Sequence, residues 1–463
     1  MAMDDVPPPE AFESAPDEPP AGGRWRRRLQ VAVILILVAS LVILAAVQGG
    51  GFLIQGDDGD DPTVREAVVP RLAVVGSTGA LSTIDDEGGS VLAREVPGVV
   101  FQFPAWSPDG TRLAAIGQGP RGTGVYVFDA GPADPSPAEP KVIYESAEQP
   151  PFYLYWTPDS AQVTFLTTEV DGLALRMAPA DGNGSAYVVR SGAPMYWDFV
   201  HSARLLVHSG PFGPEGFFGE VGADGGPFQG TDRAAGVFRA PSVSASGQYR
   251  AYLAADDDSV GEVVRESRDG SGVTRIRVFG TAAMSFSPLD DELAFIALDQ
   301  PTNSTLPLPV GPLRVLRPGA SAARTVHAGS VVAFFWSPTG EHIAVLELQN
   351  TDDNVTEAGI GRVVLASAAR EAAAGLLLGL AFVDVRNGSV RSETAVRLSN
   401  LFINQVLPFF DQYSLSHRIW SPDGSAIALP LVGPGDVTQL TVIPADGSEP
   451  RIVAPAEMGF WNR

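Results

Sequence analysis

The chain has 463 residues, no cysteine and a formal net charge of −23. Without cysteine, disulfides, zinc–thiolate sites, a catalytic thiol and a lipid-modified cysteine are excluded. Lys141 is the only lysine, and nucleic-acid binding needs clustered lysine and arginine, so the composition predicts no nucleic-acid partner.

The N-terminal part predicts a membrane anchor. Residues 1–23 are acidic and proline-rich with few large apolar side chains, which predicts a disordered tail. Residues 24–48 hold four arginines and then nineteen uncharged residues, 29–47, a length that spans a bilayer core. Because the arginines come first, the positive-inside rule predicts a cytoplasmic N-terminus and an extracytoplasmic remainder at the cell membrane. Residues 49–69 predict a flexible stalk. A cleaved signal peptide is the alternative, but its apolar region would be only about 7–15 residues long.

Residues 70–463 repeat one phrase, an aromatic residue followed by a turn of the type Ser-Pro-Asp-Gly and a short alternating apolar run. WSPDGTRLAAIG, from Trp106, is one copy. Proline presets φ, aspartate bonds to nearby backbone and glycine accepts positive φ, so each copy predicts a β-hairpin. The anchors recur every 41–50 residues, except for 84 between the last two Ser-Pro copies. They are Trp106, Trp156, Trp197, Val243, Phe286, Trp336, Trp420 and Trp461.

A period of this length, with four strands A to D in each unit, predicts an all-β protein built as a β-propeller. Four copies carry a resemblance to a known family: WSPDG from Trp106, WTPD from Trp156, WSPTG from Trp336 and WSPDG from Trp420. They resemble the PD40, or TolB-like WD40, repeats. The resemblance implies a propeller that binds a protein or a small ligand, with structural repeat residues. The copies at Trp197 and Val243 depart from it because they lack the proline and aspartate.

The two ends of the repeat region are predicted to close the ring together. Residues 71–97 match strands B, C and D but lack a strand A before them, and the last residues, MGFWNR, resemble the strand that ends at Trp336. Pairing of these ends would give eight blades. Seven is the alternative if they do not pair.

The loop lengths predict a binding face. The Ser-Pro-Asp-Gly turns are all A–B connections and lie on one face, whereas the long insertions fall in B–C and D–A connections and lie on the opposite face. Insertions on one face of a repeat protein often form its binding surface. We therefore expect an unknown protein or ligand partner on the B–C/D–A face.

One D–A loop, SNLFINQVLPFFDQYSLS over residues 399–416, is unusually apolar for an exposed segment. Its large side chains are Phe402, Phe409, Phe410 and Tyr413. One interpretation is that they pack as a plug in the channel or under the alanine-rich insertion at 350–374. The other is that they form a partner or ligand site. We expect Phe409 and Phe410 to be packing residues and Tyr413 to lie at a wet rim.

Catalytic signals are few. The five histidines form no H-E-x-x-H motif, no serine lies in G-x-S-x-G, and the acidic runs lack calcium-loop spacing. We therefore name no catalytic residue, metal ligand or cofactor, and predict a membrane-anchored binding or scaffolding module. The alternative is a propeller enzyme of the metal-assisted hydrolase or lactonase type with a site at the channel mouth.

Overall fold

The computed structural model describes most of the repeat region. Its ranges are residues 71–89, 92–130, 139–170, 172–210, 216–227, 229–230, 235–255, 260–300, 308–349 and 377–462. The predicted tail, membrane helix, stalk and the 350–374 insertion lie outside the described residues. Within these ranges, no helix combines the length and the apolar character that crossing a membrane requires.

Short strands alternate with tight turns along the whole described chain, as the dense glycine and proline content predicts. The strands are β1 (Arg71–Val75), β2 (Leu81–Asp85), β3 (Leu92–Ala93), β4 (Val100–Trp106), β5 (Arg112–Gly119), β6 (Gly122–Asp129), β7 (Lys141–Ser146), β8 (Pro151–Trp156), β9 (Gln162–Glu169), β10 (Gly172–Pro179), β11 (Tyr187–Gly192), β12 (Met195–His201), β13 (Arg204–Ser209), β14 (Phe217–Gly222), β15 (Gln229–Gly230), β16 (Ser242–Val243), β17 (Tyr249–Ala255), β18 (Val260–Ser267), β19 (Val273–Phe286), β20 (Leu293–Leu298), β21 (Gly311–Leu316), β22 (Arg324–Trp336), β23 (His342–Leu348), β24 (Leu377–Asp384), β25 (Val390–Arg397), β26 (Ala426–Val432), β27 (Thr438–Pro444), β28 (Arg451–Ala454) and β29 (Met458–Trp461).

Helical structure is confined to short pieces in the described residues. A π-helical turn, Phe402–Val406, continues into a 3₁₀ turn, Leu407–Phe409, and then into the α-helix α1, Phe410–Ser416. A second 3₁₀ turn covers Pro434–Asp436. All but the last belong to the apolar D–A loop.

The strands form antiparallel sheets that follow one another along the chain. Four sheets have four strands: β29-β1-β2-β3, β4-β5-β6-β7, β8-β9-β10-β11 and β12-β13-β14-β15. Strands β16 to β25 pair in sequence order as one ten-stranded sheet, and β26, β27 and β28 form the last one. Consecutive sheets touch, for example through β4 and β8 and through β12 and β16, and β26 contacts β29. A closed ring of meander sheets is a β-propeller, so the predicted fold class is confirmed at this level.

The first sheet joins the two ends of the described chain. Strand β29 pairs with β1 in the register Leu72 to Trp461 and Val75 to Met458. Asn462 adds a side-chain bond, because its Oδ1 accepts from the Arg71 N–H at 2.9 Å. The predicted closure by pairing of the terminal segments is therefore confirmed. A ring closed in this way has no unpaired edge strand at the join.

The tryptophan anchors are buried, except for the partly buried Trp336, and most of them tie one repeat to the repeat before it. Four of the indole N–H groups donate to the carbonyl oxygen of the residue just before the anchor of the preceding repeat. The pairs are Trp106 with Phe460 (3.0 Å), Trp156 with Ala105 (2.8 Å), Trp336 with Ser285 (3.1 Å) and Trp420 with Phe335 (2.9 Å). Trp197, in a copy with an irregular turn, donates instead to Thr164 Oγ1 at 3.2 Å. The repeat residue thus serves packing and hydrogen bonding between sheets.

The turn chemistry agrees with the sequence prediction. In the copy after Trp106, Ser107 Oγ donates to Asp109 Oδ1 at 2.6 Å, and Gly110 has φ +69°. The copy after Trp156 places Ser160 at the same position with φ +61°, a conformation that costs a residue with a Cβ some strain. Ser160 Oγ also accepts from the Asp109 N–H at 3.1 Å, so these turns link neighbouring sheets on the A–B face.

Candidate functional site: a filled channel and a groove on the rim

The segment 399–417 enters the centre of the ring. Helix α1 contacts β8, β12, β19 and β22, which belong to different parts of the ring. Strands from several sheets meet on one short helix only at the propeller axis. The apolar D–A loop is therefore a plug in the channel, which is one of the two interpretations of its sequence. We call this segment the plug.

Aromatic packing holds one side of the plug. Phe410 is 2 % exposed and meets Phe334 and Phe335 edge-on, with ring centroids 5.4 and 5.9 Å apart. Such pairs are worth about 0.5–1.5 kcal/mol beyond the burial of their area. Phe402 is equally buried in the π-helical turn.

On the opposite side, two strained residues close on Tyr413. Phe103 and Tyr153 occupy equivalent places in β4 and β8, and their φ angles are +49° and +55°. The register shifts at both places, which marks a β-bulge. A bulge re-aims a side chain, and here both rings lie against Tyr413 at 5.5 and 5.2 Å. The strained backbone at Phe103 and Tyr153 thus positions both rings to pack against the plug.

Gln412 supplies the polar contacts of the plug. Its Oε1 accepts from the Trp197 N–H at 3.0 Å, and its Nε2 donates to the Trp197 carbonyl at 2.9 Å. The Tyr153 hydroxyl donates to the Gln412 carbonyl at 2.8 Å and accepts from Ser416 Oγ at 2.9 Å. One side chain thus satisfies both backbone groups of a buried residue, which would otherwise be costly to bury.

Of two buried carboxylates, Asp411 belongs to the plug and Asp198 belongs to strand β12, which the plug contacts. Asp411 Oδ2 accepts from the Ala240 N–H at 3.1 Å, and burial raises the pKa of Asp411. Asp198 accepts from the Val243 and Phe199 N–H groups, each at 2.8 Å, and from the Tyr155 hydroxyl at 3.0 Å. Burial raises the pKa of Asp198 to about 6 although these hydrogen bonds oppose the shift. Both carboxylates are engaged by backbone N–H donors, as structural acids are.

The structure places the four predicted binding residues inside or at the edge of the plug. Phe402 and Phe410 are each 2 % exposed and Tyr413 is 8 % exposed. Phe409 is partly buried, stacks on Tyr196 at 6.5 Å and lies under the Arg239 guanidinium at 5.5 Å. Phe410 is packed as expected, whereas Tyr413 lies inside instead of at a wet rim and Phe409 lies nearer the surface than expected. Their role in binding a partner stays a prediction.

A groove on the rim of the ring was not predicted from the sequence. It has a volume of about 500 Å³ and lies between the first and second sheets. Its wall on one side is the D–A connection 94–99, and on the other side are the B–C turn at Pro120–Arg121 and strands β6 and β7. The groove therefore runs along the outer side of the second sheet, from the D–A and B–C connections on one face to the C–D connection at Glu139 and Pro140 on the other.

The lengths of the outer strands explain the groove. Strand β3 has two residues and pairs with β2 only at Ser82 and Thr83, whereas β7 has six residues. In the described chain the outer part of the second sheet therefore lacks a full-length neighbour. Val142 of β7 is 41 % exposed in this gap. Its apolar side chain is exposed to solvent and could contact a bound ligand.

Glycines shape the floor of the groove around Tyr126. A Cβ at Gly117 would lie 2.6 Å from the Tyr126 ring and one at Gly124 would lie 3.1 Å from it. The tyrosine hydroxyl donates to Glu145 at 3.4 Å, and Arg121 pairs with the same carboxylate at 3.0 Å. Burial, and next the Glu145 charge, raise the pKa of Tyr126, so the hydroxyl stays neutral at physiological pH.

Three prolines and two acidic residues complete the groove. Pro97, Pro120 and Pro140 line it, and the exposed carboxylates of Glu95 and Glu139 stand on its rim. Apolar lining with a few polar groups at the edge is typical of ligand sites of this volume, which are about 300–1,000 Å³.

Three of the five histidines pack or pair within the fold. Burial lowers the pKa of His417 to about 4, and its ring lies 4.8 Å from Phe460. His208 stacks on Phe238 at 4.1 Å, and His327 pairs with Glu347 at 2.8 Å. Within the described ranges, no three histidine, aspartate or glutamate side chains are grouped so that they could hold a metal ion.

Comparisons with known proteins give only distant likenesses. No family model and no curated protein matches the chain. Among solved structures, the chain is similar to an oligogalacturonate lyase in complex with manganese (12 % identity, TM-score 0.43, covering 84 % of this chain and 86 % of that one). It is also similar to TolB from Acinetobacter baumannii (13 %, 0.36, covering 83 % and 78 %) and to a eukaryotic initiation factor (11 %, 0.49, covering 86 % and 98 %). TM-scores this low support no conclusion about what this chain binds or does.

Proposed function

We propose that the chain is a single-pass membrane protein whose extracytoplasmic propeller binds an extended, proline-containing basic peptide segment in the groove on its rim. The observation that carries the proposal is the groove itself, since the centre of the ring is filled by the plug. The membrane helix is the predicted 29–47 segment, with the N-terminus in the cytoplasm.

The lining of the groove favours an extended peptide. Extended proline-rich segments dock against aromatic residues and prolines because they are already ordered and lose little entropy on binding. Tyr126 and Phe128 form the floor, and Val142 offers an exposed apolar contact. A peptide of a few residues fits a volume of about 500 Å³.

The charge favours a basic partner. Glu95 and Glu139 are exposed on the rim, and the whole chain carries a net charge of −23. Such a field attracts cationic segments and increases their rate of association. Arg94 and Arg121 also line the groove, but Arg94 is buried and Arg121 is paired with Glu145, so the exposed charges outside this ion pair are the Glu95 and Glu139 carboxylates.

We infer eight blades for the propeller. The ten-stranded sheet divides naturally into three units at β19 and β22, because the first half of each strand pairs with the preceding strand and the second half with the next one. An isolated bridge between Trp420 and Ile427 supplies the fourth strand of the last unit. With the four-stranded sheets, these units support the larger of the two predicted numbers.

Site-specific photocrosslinking in the native membrane tests the proposal. A photoreactive residue at Val142 is expected to give a discrete adduct, and peptide mapping of the adduct is expected to find a proline-containing basic segment. Ile452 is the matched control, because it is an exposed apolar residue on the outer strand β28, away from the groove. Equal yields of adduct at Val142 and Ile452, or no adduct at Val142, would count against the proposal.

The enzyme alternative has its own test. Stoichiometric metal that stays bound to the purified full-length protein through dialysis would favour a metal-assisted hydrolase or lactonase. In that case, activity is expected to survive the Val142→Glu change, because the groove would have no part in it.

A further inference from the structure

The sequence Asn-Gly-Ser occurs twice on the described surface, and the two copies differ in the hydrogen bonds that their asparagine and glycine make. Asn183-Gly184-Ser185 follows β10 and Asn387-Gly388-Ser389 follows β24, so both lie in C–D hairpins. Both asparagines are exposed. Asparagine before glycine is prone to deamidation, because a residue without Cβ lets its amide nitrogen approach the asparagine side chain.

The copy at Asn387 is held by hydrogen bonds. The Gly388 N–H donates to the Asp384 carbonyl at 2.8 Å, and Asn387 Oδ1 accepts from the Ser389 N–H at 2.7 Å. Gly388 also has φ +76°. The nucleophilic nitrogen and the carbonyl that it would attack are therefore both engaged elsewhere.

The copy at Asn183 lacks these restraints. Its backbone N–H and its Nδ2 donate to the two oxygens of Asp181 at 2.9 and 3.0 Å. Among the described residues, neither the Gly184 N–H nor Asn183 Oδ1 has a hydrogen-bond partner. The Gly184 nitrogen, unlike that of Gly388, is therefore not held by a hydrogen bond to another described residue.

We propose that Asn183 is a site of spontaneous deamidation in the folded protein and that Asn387 is protected by its hairpin. The Gly184 nitrogen attacks Asn183 Cγ, the new C–N bond closes a succinimide, and Nδ2 leaves as ammonia. Water then opens the ring to give aspartate or isoaspartate at position 183. No oxidant or cofactor takes part.

The product changes the charge of this hairpin. Hydrogen bonds from the Asn183 backbone and side chain lower the pKa of Asp181. Conversion removes the Nδ2 donor and places a second carboxylate beside Asp181, so the two like charges repel. Lys141 packs on the same hairpin at Gly182. The reaction therefore adds one negative charge next to the only lysine in the chain.

Peptide mapping by mass spectrometry tests the proposal on the full-length protein during storage at mildly alkaline pH. Deamidation is expected to be faster at Asn183 than at Asn387 by about two- to ten-fold or more, the effect of one hydrogen bond. In denaturant the two identical tripeptides are expected to react at similar rates. Equal rates in the folded protein, or the same ratio in folded and denatured protein, would overturn the proposal. Asn183→Gln serves as the control that assigns the signal.

Discussion

The Trp106 indole N–H donates to the Phe460 carbonyl oxygen, a bond that spans 354 positions of the chain and crosses the join of the ring. The equivalent indole of Trp461 is buried without an acceptor in the described residues. Two tryptophans of the same repeat position thus differ in one hydrogen bond.

This difference predicts unequal costs for the same substitution. Trp106→Phe removes the indole hydrogen bond to the Phe460 carbonyl oxygen and is expected to lower the free energy of unfolding by about 0.5–1.5 kcal/mol more than Trp461→Phe. Denaturant unfolding of both variants measures it. Equal losses would mean that the indole hydrogen bond does not hold the join.

The plug predicts a large stability effect at Phe410 and a small one at Phe409. Phe410→Ala removes a buried ring and is expected to cost about 3–5 kcal/mol, as such core truncations do. Phe409 is partly buried, so Phe409→Ala is expected to cost clearly less. Tyr413→Ser is expected to behave like Phe410→Ala. A Tyr413 variant with unchanged melting and lost partner capture would restore the binding interpretation of this residue.

The raised pKa of Asp198 predicts that the free energy of unfolding falls as pH rises over a defined window. Below about pH 3.8 both the folded and the unfolded carboxyl are protonated, and above about pH 6 both are charged. Between these values only the folded state keeps the proton, so stability decreases as pH rises, by about 3 kcal/mol over the whole window. Asp198→Asn cannot titrate and is expected to lack this component. The difference in unfolding free energy between wild type and variant, measured at pH 4 and pH 7, checks it; a difference that does not change with pH would contradict the buried-acid assignment.

The predicted membrane topology has a direct test. A reporter enzyme that works only in the cytoplasm is expected to be active when fused to the N-terminus and inactive when fused after Arg463. External protease on intact cells is expected to cleave the propeller. A propeller that is protected in intact cells and cleaved in lysed cells would reverse the topology.

The repeat could be predicted from the sequence because its signals are local. The Ser-Pro-Asp-Gly turn specifies its own backbone, and an aromatic residue precedes the turn in every unit except the one anchored by Val243. The terminal closure could also be predicted, since the missing strand A at the start is matched by MGFW at the end. Even the irregular copy at Trp197 keeps its strands β12 and β13.

The site could be predicted only in part because it depends on distant neighbours. The burial of Tyr413 follows from the positive φ angles of Phe103 and Tyr153, and no turn residue marks those positions. Phe409 lies nearer the surface, where its ring contacts Arg239 and Tyr196. The groove arises from the difference in length between β3 and β7, so neither strand predicts it alone.

Binding of an extended basic peptide in the groove is tested by peptide selection against the full-length protein followed by calorimetry. Selected peptides are expected to be rich in proline and arginine or lysine. Val142→Glu, an exposed change that should not affect folding, is expected to weaken their binding about ten-fold or more by blocking an anchor contact, while Ile452→Glu leaves it unchanged. Peptides without this composition, or equal affinity for wild type and Val142→Glu, would show that the groove does not bind such a segment.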